Sequence, residues 1–215
     1  MSLRLKIVLG LVLGILIADQ ILKIYIKTHF VLGEEHQIFP WFRIHFVENP
    51  GMAFGMEFGG MWGKLLLSLF RVCAAGFGIY YLRQIIVKQM HPGYVAAIAL
   101  VFAGAVGNII DSMFYGIMFN ESFMEPAHFF PAEGGYAEFL HGKVVDMLYF
   151  PLFEGHFPEW LPIWGGEEFA FFRPVFNLAD ASISVGVILI LLFQKKFFGE
   201  TKSAEIAPAE PRQVD

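Results

Sequence analysis

Four apolar runs dominate the hydrophobic pattern of the chain, at about Leu5–Ile26, Met61–Val87, Pro92–Phe114 and Asn177–Phe198. Each is long enough to cross a bilayer as a helix, which takes roughly 20 residues. Two long connections separate the first run from the second and the third from the fourth, at 28–60 and 115–176. In the first, residues 38–47 (IFPWFRIHFV) mix aromatic and β-branched residues in partial alternation and predict a strand. Glu48-Asn49-Pro50-Gly51 then predicts a turn. Residues 143–150 predict a second strand. The aromatic-rich stretches Phe123–Leu140, Trp160–Trp164 and Phe169–Phe172 are expected at a membrane surface, where aromatic rings sit among lipid headgroups. The polar, Pro-containing tail 203–215 is expected to be disordered. With no internal repeat and no soluble segment of domain size, residues 1–202 form a single membrane-embedded domain.

Composition agrees with this pattern. The 215 residues are 56% hydrophobic and 16% charged, against about 25% charged in soluble domains. The one cysteine, Cys73, lies in an apolar run, which excludes a disulfide framework or a Cys-based metal centre. A net charge of −5 offers no basic surface for nucleic acid. Arg4 and Lys6 at the head of the first run imitate a secretory leader, but the run is too long and no small-x-small cleavage site follows, so it reads as a retained helix. Arg4, Lys6, Arg83, Lys88, Lys195, Lys196 and Lys202 flank the spans on one side. The positive-inside rule then places both termini in the cytoplasm and both long connections outside.

Acids inside these runs need an explanation, because a charge at the centre of a spanning helix costs at least about 2.5–3.5 kcal/mol. The first run holds Asp19, the third Asp111 and the fourth Asp180, and Asp146 sits in an apolar strand-like segment, GKVVDMLYF. Under the topology above all four fall in one layer near the outer face. Three amides accompany them: Asn49 in the first long connection, Asn108 three residues before Asp111, and Asn177 three before Asp180. Residues three apart share a helix face. Simpler readings stand beside a functional one. Asn177 could cap the last helix with Asp180 in its first turn. Asp19 and Lys23, four apart, could form a local ion pair. Asn108 and Asp111 could clamp helices together.

The sharper reading joins Asp146 and Asp180. Two carboxylates about 4 Å apart at an effective dielectric near 20 repel by about 4 kcal/mol, or about three pK units. One would then hold a proton near neutral pH while the other stays ionised. Such a pair suits peptide hydrolysis, in which the carboxylate takes a proton from water and the acid protonates the scissile carbonyl.

Five ordered blocks carry a resemblance to a known family. They are Asp19-Gln20…Lys23, Asn49-x-Gly51-x-Ala53-Phe54-Gly55, Gly107-Asn108-x-x-Asp111, Val144-Val145-Asp146 and Phe176-Asn177-x-Ala179-Asp180-x-x-Ile183. In this order and topology the chain resembles lipoprotein signal peptidase (signal peptidase II), the bacterial membrane aspartyl protease. The resemblance implies a catalytic pair at Asp146 and Asp180, with Asp19, Lys23, Asn49, Gly51, Asn108, Asp111 and Asn177 supporting them or the substrate. It implies a membrane bundle of four transmembrane helices with a small extracytoplasmic β-sheet cradle and a surface flap. It implies a diacylglyceryl-modified prolipoprotein substrate cleaved before the lipidated cysteine, no metal or other cofactor, inhibition by globomycin, membrane lipids as surroundings and residence in the inner membrane; nothing in the sequence requires more than a monomer.

Two features depart from the family. Its usual Arg after the G-N-x-x-D aspartate is Ser112 here, so Lys143 or Arg173 is expected to replace that cation. The 34 residues between Asp111 and Asp146 also exceed the usual short link, and the insert 117–142 is expected as an enlarged outer flap. The rival functions are a small transporter or proton channel using the clustered acids, a scaffold whose polar groups only bind helices together, and a Mg²⁺-dependent lipid enzyme. A transporter should run its acids through the bilayer, whereas these sit at one side. No paired D-x-x-D supports the metal reading.

Overall fold

In the computed structural model, residues 1–50, 60–151, 153–171 and 174–205 are described. Helix α1 (Leu3–His29) opens on Ser2, whose hydroxyl caps the first turn by accepting from the Leu5 N–H. Helix α2 spans Gly60–Val87 and α3 spans Pro92–Ile110, with His91 capping α3 and Pro92 in its first turn. A π-helical turn, Asp111–Tyr115, and a short helix α4, Gly116–Met118, extend α3. Helix α5 covers Leu178–Glu205. Among the described residues, four helical segments, Leu3–His29, Trp62–Val87, Pro92–Met118 and Leu178–Phe198, are long and apolar enough to cross a membrane. Their outward faces carry exposed Ile17, Ile21, Leu66, Phe70, Leu191 and Leu192, as a lipid-facing surface requires.

Strands β1 (Glu35–Phe39), β2 (Phe42–Asn49), β3 (Val144–Tyr149) and β6 (Val175–Phe176) form one antiparallel sheet in the order β1-β2-β3-β6. Strands β4 (Phe153–His156) and β5 (Glu168–Phe171) pair as a separate hairpin. The single strand expected over 38–47 is therefore a hairpin. The chain reverses between Phe39 and Phe42, which pair with each other across Pro40 and Trp41. Pro40 has no N–H to give a ladder, so the run breaks there. Of the turn expected at Glu48–Gly51, Glu48 and Asn49 instead continue β2, pairing with Val145 and Val144. Gly51 lies outside the described residues.

The third span also departs from a plain helix over Pro92–Phe114. Its hydrogen bonds widen to the π pattern at Asp111, the residue where the buried acid enters. Such single turns alter the direction of side chains at functional positions. The insert does not stand away from the bundle over its whole length. Backbone bonds run from Leu32 N–H to Ser122, Ala127 N–H to Lys27, Tyr136 N–H to Phe119, Ala137 N–H to Gly116 and Gly142 N–H to Ser112. They lay it along the ends of α1 and α3. Of the tail 203–215, residues 203–205 continue α5 and the rest lies outside the described residues.

Two apolar clusters bracket the bundle. Val8, Leu82, Ile85, Tyr94, Val95, Ala99 and Phe197 fill one end, near the Arg4 guanidinium, which donates to the Gln89 and Met90 carbonyls. Ile26, Phe46, Tyr115, Phe119, Ala127, Val145 and Met147 join the other end to the sheet. Between them lies a polar layer drawn from α1, α3, β3 and α5. Gly104 and Gly107 on α3 let α5 come close: a Cβ at Gly104 would collide with the Ala179 carbonyl, and one at Gly107 would lie 3.1 Å from the Ala179 Cβ.

Candidate functional site

The sheet delivers Asp146. Strand β3 pairs with β6 through Leu148 and Phe176, and β6 leads straight into α5. Continuing that antiparallel register runs Asp146 alongside the residues that open α5. Asn177 sits at this junction, fully buried. Its side-chain oxygen accepts from the Asp180 N–H at 2.9 Å, which is the helix cap the sequence suggested. Its amide nitrogen donates to Asp146 at 2.7 Å and to the Asn108 oxygen at 3.1 Å. Its backbone N–H points to the Asp180 carboxylate at 3.3 Å. The capping reading and the site reading are therefore one arrangement, because a single residue caps the start of the helix and contacts both acids, Asp146 through its side-chain amide and Asp180 through its backbone N–H.

Asn108 completes the link by donating to Asp180 at 2.7 Å. Asn49, at the end of β2, makes a further side-chain bond to Asp146. Asp146 is 4% exposed. Burial, followed by the neighbouring Asp180 charge, pushes its carboxyl from 3.8 to about 7, while Asn177, Lys23 and Asn49 pull the other way. Repulsion between the two carboxylates is by itself enough to produce a rise of this size. In the fold, loss of water is the larger cause.

The remaining acids serve a different centre. The Lys23 ammonium lies 2.9 Å from Asp19 and 2.8 Å from Asp111, and donates to the Asn108 oxygen at 2.9 Å. The Asp19–Lys23 pair is thus part of a three-way buried cluster rather than a local surface pair. Asp19 also accepts from the Ala179 N–H at 2.9 Å, in the first turn of α5. Asp111 accepts from the Val145 N–H at 3.2 Å, next to Asp146. Gln20 donates to Asp111 at 2.9 Å and accepts from the Tyr115 hydroxyl at 3.1 Å. Asp19 and Asp111 converge on the Lys23 ammonium, so the position a cation would occupy between them holds a side chain. Among the described residues no three His, Cys, Asp or Glu side chains are placed to hold a metal.

The structure gathers Asp19, Lys23, Asn49, Asn108, Asp111, Asp146, Asn177 and Asp180 in this one layer. It does not bring in Lys143. That ammonium lies 3.0 Å from Glu48 and 3.2 Å from Glu121, in a cluster where Glu48 also pairs with the buried Lys27. Lys143 is engaged away from the acids, so it does not stand in for the family cation. Arg173 lies outside the described residues. Among the described residues, a cation that does approach is Arg71, from the middle of α2. Its Nη1 donates to Ser112 Oγ at 3.4 Å, and the Asp180 charge acts on its guanidinium. Counting only acids within the spans passes over it. A guanidinium inside LLLSLFRVCAAGF carried the same signal of cost.

The family model described as signal peptidase (SPase) II matches residues 11–196 of the chain. A lipoprotein signal peptidase of Porphyromonas gingivalis is 55% identical over 188 residues, covering 87% of this chain and 82% of that protein. One from Amoebophilus asiaticus is 36% identical, covering 85% of this chain and 75% of that protein. A solved bacterial membrane enzyme superposes with a TM-score of 0.54 at 25% identity, covering 88% of this chain and 92% of that one.

Proposed function

The chain belongs to the signal peptidase II family, proteases that remove signal peptides from lipoproteins, and from that premise we propose that Asp146 and Asp180 are its catalytic pair. The observation that carries this assignment is Asn177, which contacts both carboxylates from one buried position. Near neutral pH Asp146 holds a proton for part of the time, so one member of the pair is an acid while Asp180 serves as the carboxylate. Asp180 takes a proton from a water placed between them, and the resulting hydroxide attacks the scissile carbonyl. Asp146 gives its proton to the carbonyl oxygen, forming a neutral tetrahedral intermediate. Collapse breaks the C–N bond as the proton now on Asp180 passes to the leaving amine and the carbonyl re-forms. Asp146 recovers its proton from the intermediate hydroxyl.

Asn49, Asn108 and Asn177 orient the two carboxyls. The Asp19–Lys23–Asp111 cluster ties α1, the π-helical turn and the head of α5 together beneath them. The substrate is a prolipoprotein already diacylglyceryl-modified on cysteine, cut on the N-terminal side of that cysteine. The acids sit where α5 meets the sheet, so the acyl chains stay in the bilayer while the scissile bond reaches the polar layer. Lys and Arg placement orients this end toward the outer leaflet of the inner membrane, with both termini cytoplasmic. The enzyme acts as a monomer without a metal, residues 1–202 form its single domain, and globomycin-type peptides bind over the pair. Cleavage of a lipidated prolipoprotein in detergent or liposomes, followed by gel shift, tests the assignment. Asp146→Asn and Asp180→Asn each abolish cleavage while the protein stays folded; near-normal turnover by either variant overturns the assignment of that residue.

A further inference from the structure

Arg71 is the cation within the spans whose surroundings lead to the acid pair by a route separate from Lys23. It sits half-buried on α2, one turn beyond Ser68, whose hydroxyl donates to the Leu140 carbonyl at 2.8 Å. Both side chains therefore use one face of α2 to grip the segment that runs from Asp111 to Asp146. The Ser112 hydroxyl accepts from Arg71 at 3.4 Å and donates to the Asn108 carbonyl at 3.0 Å. Asn108 in turn holds Asp180 at 2.7 Å. A guanidinium in this setting cannot lose its charge, and the low local dielectric strengthens its pull on a nearby carboxylate.

We propose that Arg71 is a positioning residue that breaks the symmetry of the acid pair, holding Asp180 as the carboxylate so that the shared proton resides on Asp146. Among the described residues, the charged groups that act together with Asp180 include Asp146 from β3 and Arg71 from α2. Lys23, with Asp19 and Asp111, lies one hydrogen bond further away behind Asn108. The Lys23 charge sits between its own two carboxylates and also reaches Asp146, whereas the Arg71 charge bears on Asp180. The inference rests on the catalytic assignment above and adds which carboxyl is the base and why.

The test is the pH dependence of kcat/KM for a lipidated prolipoprotein, whose acid-side midpoint reports protonation of the base in the free enzyme. Removing a nearby cation makes a carboxylate easier to protonate. Arg71→Gln therefore moves the acid-side midpoint up by about one unit and lowers cleavage about tenfold on that side, with recovery at higher pH. Ser112→Ala keeps the charge but removes its hydrogen-bond anchor, and moves the midpoint in the same direction by less. A purely structural role would lower the yield of folded enzyme and leave the midpoint in place. An unmoved midpoint in Arg71→Gln overturns the proposal. Where that variant does not fold, an unmoved midpoint in Ser112→Ala overturns it. Asp180→Asn, run alongside, separates the two levels. If it retains turnover, the catalytic assignment fails; if it is inactive while the midpoints stay put, only the role of Arg71 fails.

Discussion

Asn177 donates its side-chain amide to the Asp146 carboxylate at 2.7 Å, which ties the first residue before α5 to the middle of β3. Local sequence proposes Asn177 as a cap for its own helix, and it is one. The tertiary fold gives the other end of the same amide a partner 31 residues away. Helix start and acid placement are thereby set by one side chain.

This double use can be separated by substitution. Asn177→Ser keeps a good capping oxygen but has no amide to donate. Cleavage should fall at least about tenfold, in keeping with a loss of roughly 1.4 kcal/mol or more from one charge-assisted bond. The thermal midpoint in detergent should move little. Asn177→Ala loses the cap as well, at a further cost of about 1 kcal/mol. Equal activity in the Ser variant and wild type would show that the bond to Asp146 plays no part in turnover.

Asp146 itself should cost stability as pH rises. Its carboxyl is pushed up from 3.8 to about 7, so the fold binds a proton that the unfolded chain releases. That contribution is fully present below about pH 4 and is lost as pH rises to about 7. The shift corresponds to about 4 kcal/mol as an upper figure. Asp146→Asn is neutral and nearly the same shape. It should be inactive yet melt above wild type at pH 8, with the gap closing toward pH 4 in thermal scans.

Lys23 is fully buried between Asp19 and Asp111. Lys23→Met leaves two buried carboxylates without their counter-charge and should destabilise by about 3–5 kcal/mol. Adding Asp19→Asn and Asp111→Asn in the same chain should restore much of that loss, because the repulsion and the uncompensated charge go together. A triple variant as unstable as Lys23→Met would show that the cluster holds the fold through packing instead.

Gly104→Ala tests the close approach of α3 and α5. The added methyl meets the Ala179 carbonyl and lies 2.7 Å from the Ile183 side chain. A backbone neighbour cannot rotate away, so the helices must separate. We expect a loss of about 1–3 kcal/mol and a larger fall in activity than in folded yield, because Asp180 is one residue from the point of collision.

Much of the site was legible because each buried charge stood out against an apolar background. Asp19, Asp111, Asp146 and Asp180 could be found by composition of their neighbours, and the span order put them in one layer. Arg71 carries the same mark but lies in a helix without acids. The hairpin at Pro40 is hidden for a different reason. Aromatic and β-branched residues on both sides promote extended chain, and the proline decides only where that chain must reverse. The π-helical turn at Asp111 left no periodicity to detect, since a single widened turn changes the pattern by one residue.

The sequence by itself determined four spans, their order, the strand that carries Asp146 and the family to which the chain belongs. These follow from length, hydropathy and short motifs, all local properties. Tertiary structure decided how the acids divide. Asp19 and Asp111 close on Lys23, while Asp146 and Asp180 meet through Asn177 and Asn108. That division depends on the rotation of each helix about its axis and on the register of β3 against β6. Both are set by packing between distant segments, through contacts such as Gly104 against Ala179 and Leu148 beside Phe176, and no spacing along one segment encodes them.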